Sequence, residues 1–392
     1  VGDAAQSIYA FRGAKFRNII DFPKRFPATR IVSLEENYRS NQPVLTLTNA
    51  IIERAKEKFT KNLFSQKKDG AKPVMVNAED EYSQSRFIVD RIKDFQNQGV
   101  PINEIAVLFR ASFHSFDLEI ELSREGIAFV KMGGFKFVES AHIKDVLAHM
   151  RILTNPYDRL SWFRILLLID KIGPKSAQRL YDGMASQARG LAGFIDMTPP
   201  KRANPGVERL RGLLSEIGEF DLTPVEIGDR ILAYYHPLLK DRYDNHPKRF
   251  RDLEQLLILV EKYEQLEVFL SDMTLEPPSV AVENTFGTGN SPEDRLVLST
   301  VHSAKGLEWH TVFILWAMDG RFPSFMATES PEQLDEELRL MYVAATRARE
   351  NLFFLCPGQT FDRISGMFLS RPSRFIDALP EAILTRQAAD IW

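Results

Sequence analysis

The sequence predicts an α/β protein in which a parallel β-sheet domain carries an inserted all-helical domain. Three observations support this fold class. Short apolar runs alternate with helical patterns in the first third of the chain, the same alternation returns near the end, and helical spacing replaces it in between. With 392 residues, the chain is long enough for two or three domains.

Three short apolar runs predict the first strands: residues 31–34, residues 73–76 and Ile105–Phe109. Such runs are too short for helices, and their continuous hydrophobicity is typical of parallel strands buried on both faces. Between the second and third runs, Ser83 is placed to cap a helix that Gly99 and Pro101 end. The predicted order is therefore strand, helix, strand.

The same pattern returns late in the chain. Residues 335–347 predict a helix, and three further strands are predicted over residues 296–301, 312–315 and 352–356. We therefore expect two distant segments to share one sheet.

The segment between them, residues 139–285, is predicted to be the helical insertion. It holds two long helical stripes, one ending at Asn155-Pro156 and one starting at Leu253. The flexible connections expected at its ends are Gly133-Gly134 and residues 286–290. The second connection contains a GxG that follows no strand, which favours a linker over a dinucleotide-binding loop.

Composition excludes some classes of protein. Fifty Lys and Arg against 53 Asp and Glu leave a net charge of −3, which excludes a histone-like polycation but allows a local basic groove. The single cysteine, Cys356, lies in an apolar run and is interpreted as a buried, inert thiol in a reducing compartment. No stretch reaches the ~18 apolar residues of a membrane span, so a cytoplasmic location is expected. The chain starts with Val1 rather than Met, and we expect it to be part of a longer protein.

The densest motif is the opening run, residues 1–14, which reads VGDAAQSIYAFRGA. The amide of Gln6 can bond a phosphate or water, Tyr9 and Phe11 offer faces for stacked bases, and Arg12 can hold a backbone phosphate. A turn whose aromatic residues fill a core explains these residues equally well.

Four runs in order resemble motifs III to VI of the UvrD, Rep and PcrA family of superfamily 1 DNA helicases. They are the opening run, LEENYRS at residues 34–40, LSTVHSAKGLE at residues 298–308 and MYVAATRA at residues 341–348. VLFR at residues 107–110 resembles the strand before the family's inserted domain. The resemblance covers essentially the whole chain and implies a RecA-like sheet domain.

The resemblance implies an ATP site. Arg39 and Arg347 match two family arginines that stabilise the charge developing on the γ-phosphate, and Gln6 matches the residue that senses this phosphate. Most arginines only form surface salt bridges, but these two are expected at element ends, Arg39 directly after a buried strand, where ligands of open sheets collect. Tyr38 matches the aromatic that packs on adenine. Gly306 belongs to the same nucleotide set, as does Glu308, the carboxylate near the ribose, which could equally be structural.

The resemblance also implies a DNA track formed by Tyr9, Phe11, Arg12, Thr300 and His302. The family often carries Trp where Phe11 stands, which reduces the stacking face. A hydroxyl and an imidazole suit phosphate contacts, and the histidines show no spacing typical of a metal site. His142 and His149 are interpreted as surface or packing residues.

Residues 171–177 in the insertion, KIGPKSA, have the pattern of a helix-hairpin-helix turn, in which backbone amides approach a phosphate. A plain turn between helices explains the spacing nearly as well. The family's inserted domain contacts duplex DNA, which favours the functional interpretation.

The chain contains no G-x-x-x-x-G-K-[ST]. The Asp335-Glu336-Glu337 run precedes a predicted helix instead of ending a strand, so it is interpreted as the N-terminal charge of that helix. The family's phosphate loop and Mg²⁺ carboxylates lie upstream of motif III. The resemblance thus implies the C-terminal half of a 3′ to 5′ DNA helicase, which uses ATP and Mg²⁺ only together with its missing N-terminal motor domain. Its expected parts are a first-domain remnant at residues 1–33, a second RecA-like domain at residues 34–138 plus 286–392, and the insertion.

Two alternative functions are also compatible with the sequence. The chain could be a non-catalytic module that binds DNA or a partner, because half of the ATP site is absent. It could also be the helicase subunit of a helicase-nuclease complex. The expected partners of the helicase are single-stranded DNA, a duplex junction, and repair or replication proteins.

Overall fold

The computed structural model describes residues 2–8, 20–56, 61–132, 137–197, 205–274, 295–358, 360–362 and 367–389. The chain divides into two compact units: Val1–Gly134 with Glu276–Trp392, and Phe135–Leu275. The assignment of residues 1–33 to another motor domain stays a prediction, as do the functional domain boundaries. The glycine pair at residues 133–134 and residues 286–290 lie outside the described residues.

A seven-stranded sheet forms the centre of the first unit, with the strand order β3-β4-β2-β5-β6-β1-β9. Every pairing within it is parallel. The residues that the structure describes form nine strands: β1 Val74–Ala78, β2 Ile105–Phe109, β3 Phe129–Met132, β4 Leu296–Thr300, β5 Trp309–Ile314, β6 Ala348–Pro357, β7 Thr360–Asp362, β8 Met367–Leu369 and β9 Thr385–Ala388. β7 and β8 form a separate antiparallel pair. Because β2 lies between β4 and β5, the prediction that two distant segments share one sheet is confirmed.

Thirteen α-helices lie in the described residues, and α5 to α12 belong to the second unit. They are α1 Phe22–Arg25, α2 Gln42–Ile52, α3 Glu81–Asn97, α4 Phe116–Arg124, α5 Ala141–Thr154, α6 Arg159–Leu166, α7 Pro174–Ala185, α8 Leu191–Ile195, α9 Pro205–Glu219, α10 Pro224–Arg242, α11 His246–Val260, α12 Leu266–Thr274 and α13 Pro331–Ala345.

Helices cover both faces of the sheet. On one face, α2 and α13 pack through residues such as Leu47 and Met341, and on the other, α3 and α4 pack through residues such as Ile88 and Leu118. Strands covered on both sides must be apolar throughout, which explains why all five residues of β2 are buried. Cys356 is buried in this core, and burial raises the pKa of its thiol to about 12, in agreement with an inert thiol.

Three local predictions are wrong. Residues 31–34 form no strand, and Ile31, Val32 and Leu34 are 57%, 69% and 78% exposed, because no described strand lies beside them to pair with. The predicted cap of α3, Ser83, is also wrong. The N-cap is Asp80, whose carboxylate accepts a hydrogen bond from the backbone N–H of Ser83, so Ser83 lies inside the first turn.

The third error concerns the start of α13. This helix begins at Pro331 and is capped by Ser330, so the acidic run at residues 335–337 is not its N-terminal charge. Asp335 instead bonds Arg339 one turn on, and Glu337 bonds Arg110 at 2.8 Å.

The helical unit is organised around buried polar groups on α5. Asp145 accepts hydrogen bonds from Tyr235 at 2.6 Å and from Arg164 at 2.6 Å. His142 and His149 are both buried, which supports packing roles. The stripe from Leu253 is divided by a turn between α11 and α12. Over the described part of the chain, the structure has no helix both long and apolar enough to span a membrane.

Candidate nucleotide-binding site

Four ionised side chains from distant parts of the chain meet at one edge of the sheet. Arg39 bonds the carboxylate of Glu308 through Nε, and Arg349 approaches the other oxygen of Glu308 at 4.0 Å. Arg349 also bonds Glu104 at 2.6 Å. The structure therefore brings the predicted nucleotide residues Arg39 and Glu308 into direct contact.

This edge is the amino edge of the sheet, which corrects the expected placement. Glu104 precedes β2, Glu308 precedes β5 and Arg347 precedes β6, so these residues lie where parallel strands begin. Arg39 does not follow a buried strand either, since residues 31–34 form none; it precedes α2. Ligands of open parallel sheets usually bind at the carboxyl ends of the strands, but these side chains lie at the opposite edge of the sheet.

Local side-chain bonds fix the loop that carries Arg39. The amide oxygen of Asn37 accepts from the backbone N–H groups of Arg39 and Ser40, both at 2.9 Å, as Asn does in turns. The hydroxyl of Ser40 donates to the carbonyl of Ala348 at 2.6 Å. The backbone N–H of Asn41 donates to the carbonyl of Arg349 at 2.9 Å. The loop is thus attached to the start of β6, beside Arg347.

Tyr38 points away from the protein core. It is 77% exposed, and its hydroxyl donates to Glu36 at 2.9 Å. This hydrogen bond raises the pKa of Tyr38. An exposed ring next to Arg39 is available to stack on a flat ligand.

Arg347 is the opposite case, since it is 1% exposed. Its guanidinium donates three hydrogen bonds of 3.0 Å, to the carbonyls of Val343 and Leu307 and to the hydroxyl of Thr346. Burial lowers the pKa of Arg347 to about 10, and the positive charge of Arg39 adds to this effect. The group stays charged at neutral pH and is held in one orientation, as electrostatic stabilisation of a phosphoryl group requires.

Eight residues, 301–308, cross from the carboxyl end of β4 to the amino end of β5. Val301 and Ala304 are fully buried in this crossover. Gly306 adopts φ +92°, a left-handed conformation that favours glycine, and the space where a Cβ would stand is open. The backbone at Gly306 is therefore accessible to a ligand.

The predicted DNA residues of this segment lie at its other end. Thr300 ends β4, and its hydroxyl donates to Ser303 at 3.0 Å, while His302 is partly exposed. Glu308 and Thr300 are therefore at opposite edges of the sheet. Tyr9, Phe11 and Arg12 lie outside the described residues, so their predicted roles stay predictions.

Lys305 was not predicted as a site residue from the sequence, and it joins two of the matched motifs. Its ammonium donates to the carbonyl of Gln6 at 2.8 Å. The side chain of Gln6 donates to Asp3 at 3.0 Å, and Asp3 also bonds Lys61 at 2.7 Å. A lone cation inside the small-residue stretch of the crossover was the available signal for Lys305.

The Mg²⁺ predicted from the family resemblance can be compared only with the side chains that the structure describes. Among the residues that the structure describes, no three His, Cys, Asp or Glu side chains come together as a possible metal site. We therefore assign no described residue to Mg²⁺.

The chain is similar over nearly its whole length to known DNA helicases. The family model described as the UvrD-like helicase C-terminal domain matches residues 32–357. The ATP-dependent DNA helicase PcrA of Bacillus subtilis is 28% identical over 98% of this chain and 54% of its own length. DNA helicase II of Escherichia coli is 31% identical over 97% of this chain and 55% of its own. The ATP-dependent DNA helicase UvrD1 of Mycobacterium tuberculosis is 31% identical over 98% and 53%.

These matches agree with the fold and with the order of the motifs. The chain spans about half the length of the curated relatives it matches. Its parallel sheet with helices on both faces is the RecA-like architecture that the resemblance implied. The family model covers most of the chain, and the relatives match it almost from end to end, so the chain belongs to the UvrD-like helicases as their C-terminal portion.

Proposed function

We propose that the chain is the C-terminal half of an ATP-dependent DNA helicase that moves 3′ to 5′ along single-stranded DNA. The observation that carries this proposal is the meeting of Arg39, Glu308 and the buried, oriented Arg347 at one edge of the sheet. Relatives that match nearly the whole chain are named ATP-dependent DNA helicases, which supports ATP and DNA as ligands.

The chain's own residues would complete an ATP site. Tyr38 stacks on the adenine and Glu308 accepts a ribose hydroxyl, while the open backbone at Gly306 lets the nucleotide approach. Arg39 turns from Glu308 to the γ-phosphate, where Arg347 adds a second fixed positive charge. Two guanidinium groups there stabilise the charge that spreads over the phosphate during transfer.

The DNA track lies at the other end of the same segment. Thr300 and His302 contact the strand backbone, and Tyr9, Phe11 and Arg12 extend the track by stacking and phosphate contacts. Gln6 senses the γ-phosphate and connects to the crossover through Lys305. The 301–308 crossover thus joins the nucleotide end to the DNA end.

The remaining parts of the proposal concern the intact protein. The phosphate loop and the Mg²⁺ carboxylates belong to an N-terminal motor domain, of which residues 1–33 are the last piece. Residues 34–138 and 286–392 form the second motor domain. The insertion, residues 139–285, contacts duplex DNA near the turn before α7, where Gly173 is the helix N-cap. We place the enzyme in the cytoplasm, in DNA repair or replication.

The decisive variant is Arg39→Ala in the full-length helicase that contains this chain. Because an arginine aimed at the transferred phosphate contributes ~10³-fold or more, the DNA-stimulated ATPase rate is expected to fall by about that factor. Arg91→Ala is the matched control, since Arg91 forms an exposed ion pair with Asp94 at 3.2 Å. An unchanged rate in Arg39→Ala would refute the assigned site.

A second candidate function is a module that binds DNA or a partner without hydrolysing ATP. It is supported by the observation that the chain spans only about half the length of its relatives. The isolated chain of 392 residues is expected to show no ATPase activity with or without single-stranded DNA. Turnover by this chain alone would contradict the division of the ATP site. Retained ATPase in the full-length Arg39→Ala protein, together with DNA binding by the isolated chain, would favour the binding module.

A further inference from the structure

We propose that Arg349 is a positioning residue for nucleotide binding, because it compensates the carboxylate of Glu308 when Arg39 leaves that carboxylate for the phosphates. This inference rests on the proposed function, in which Arg39 contacts the γ-phosphate. It assigns a role to a residue outside all the motif matches.

Glu308 lies between two guanidinium groups. Arg39 bonds its Oε2 through Nε, while Nη1 of Arg349 lies 4.0 Å from its Oε1. The two cations therefore use different oxygens of one carboxylate. Arg39 holds the closer position, and Arg349 needs to move by only about 1 Å to reach hydrogen-bond distance.

Arg349 is held ready by its other contacts. Its Nη2 bonds Oε2 of Glu104 at 2.6 Å, and the same oxygen accepts from the backbone N–H of His310 at 3.3 Å. Its backbone belongs to β6, and its carbonyl accepts from the N–H of Asn41. The backbone of Arg349 is therefore fixed in the sheet, and its side chain is already held close to Glu308 before a nucleotide binds.

The local charges explain why a second cation is needed. A nucleotide that draws Arg39 away would leave the carboxylate of Glu308 uncompensated next to negatively charged phosphates. This repulsion would oppose binding, because the Glu308 side chain is only partly exposed and water screens its charge incompletely. Arg349 removes the repulsion and leaves Arg39 free to pair with the phosphate.

If Arg349 replaces Arg39 as the partner of Glu308, substitutions of Arg349 in the full-length helicase should affect nucleotide affinity more than kcat. Arg349→Met is expected to weaken binding of the non-hydrolysable analogue AMPPNP with Mg²⁺, and to raise KM for ATP, by about three- to tenfold. kcat at saturating ATP should change less than twofold, because Arg39 still reaches the phosphate and Arg347 still supplies its fixed positive charge. Arg349→Lys should recover most of the affinity, since it keeps the charge.

The test of the pathway is a double variant. If Arg349 acts only through Glu308, Arg349→Met in a Glu308→Gln background will cause no further loss of AMPPNP affinity. An additional loss as large as in the wild type would overturn the inference, as would equal affinity of wild type and Arg349→Met. Arg91→Met serves as the surface-pair control.

Failure of this inference is distinguishable from failure of the proposed function. Loss of ATPase in Arg39→Ala with no effect of Arg349→Met refutes only the positioning role. Full activity of Arg39→Ala refutes the proposed site itself, and the positioning role with it.

Discussion

Lys305 donates a hydrogen bond from its ammonium group to the carbonyl of Gln6 at 2.8 Å, across 299 positions of sequence. The contact connects the crossover to the segment that precedes the predicted DNA residues Tyr9, Phe11 and Arg12. An ammonium group forms a stronger, charge-assisted hydrogen bond with a backbone carbonyl than a neutral donor does, and an apolar side chain forms none. We propose that this contact couples the proposed nucleotide site to the proposed DNA track.

Lys305→Met is expected to uncouple DNA binding from hydrolysis. Coupling energies between sites of ~1–3 kcal/mol predict that the ratio of ATPase rates with and without single-stranded DNA falls by about tenfold. Lys93→Met is the control, because Lys93 pairs with Glu125 at 2.7 Å on the surface. A ratio equal to that of the wild type would show that the contact does not transmit the signal.

The two arginines should differ in their effect on stability. Arg347→Ala leaves the carbonyls of Val343 and Leu307 without their buried charged donor, and we expect a loss of about 2–4 kcal/mol in the free energy of unfolding. Arg39→Ala should cost less than about 1 kcal/mol, because its ion pair with Glu308 is partly exposed. Urea unfolding of the chain measures both values. Equal losses would contradict the distinction between a buried arginine and an exchangeable one.

Tyr38 should affect affinity more than turnover. Removing a stacking ring costs roughly 1–3 kcal/mol, so Tyr38→Ala is expected to raise KM for ATP about tenfold in the full-length helicase. Tyr38→Phe keeps the ring and loses only the bond to Glu36, and it should behave like the wild type. If Tyr38→Phe were as impaired as Tyr38→Ala, the hydroxyl rather than the ring would be the contact.

His149 should make the stability of the chain sensitive to acid. Burial lowers its pKa to about 4 from an ordinary value of 6.5. The unfolded chain therefore binds a proton that the folded chain excludes, so stability is lost as pH falls from 6.5 toward 4. At pH 5 this loss amounts to about 2 kcal/mol relative to pH 8.

Urea unfolding at pH 8 and pH 5 tests this prediction. His149→Phe should reduce the difference between the two pH values by that amount, whatever its effect on absolute stability. His236→Phe, at an exposed position of α10, should retain the wild-type difference. An unaltered difference in His149→Phe would rule out this histidine as the source.

The strands of the sheet could be predicted from the sequence where a continuous apolar run has clear ends. Ile105–Phe109 appears as a strand with the predicted ends, because charged residues border a run that must be buried on both faces. Residues 31–34 have the same apolar pattern, but no described strand lies beside them. A run of four apolar residues does not indicate whether another strand will be available to pair with it.

The site was predictable only in part. The motif resemblance brought Arg39, Glu308 and Arg347 together, but it did not indicate that they lie where the strands begin. Arg349 is separated in sequence from Glu104 by 245 positions and from Glu308 by about forty. Local sequence spacing carries no information on contacts between such distant residues. Lys305 was missed for the same reason, since its partner is the backbone of Gln6.

The 301–308 crossover has a consequence for how such proteins can diverge. Both of its ends are occupied by functional side chains, and its middle is fixed by the buried Val301 and Ala304. One added or deleted residue would shift either Thr300 or Glu308 from its place while leaving the sheet intact. We therefore expect length changes among relatives to accumulate in other connections, and this stretch to keep eight residues between β4 and β5.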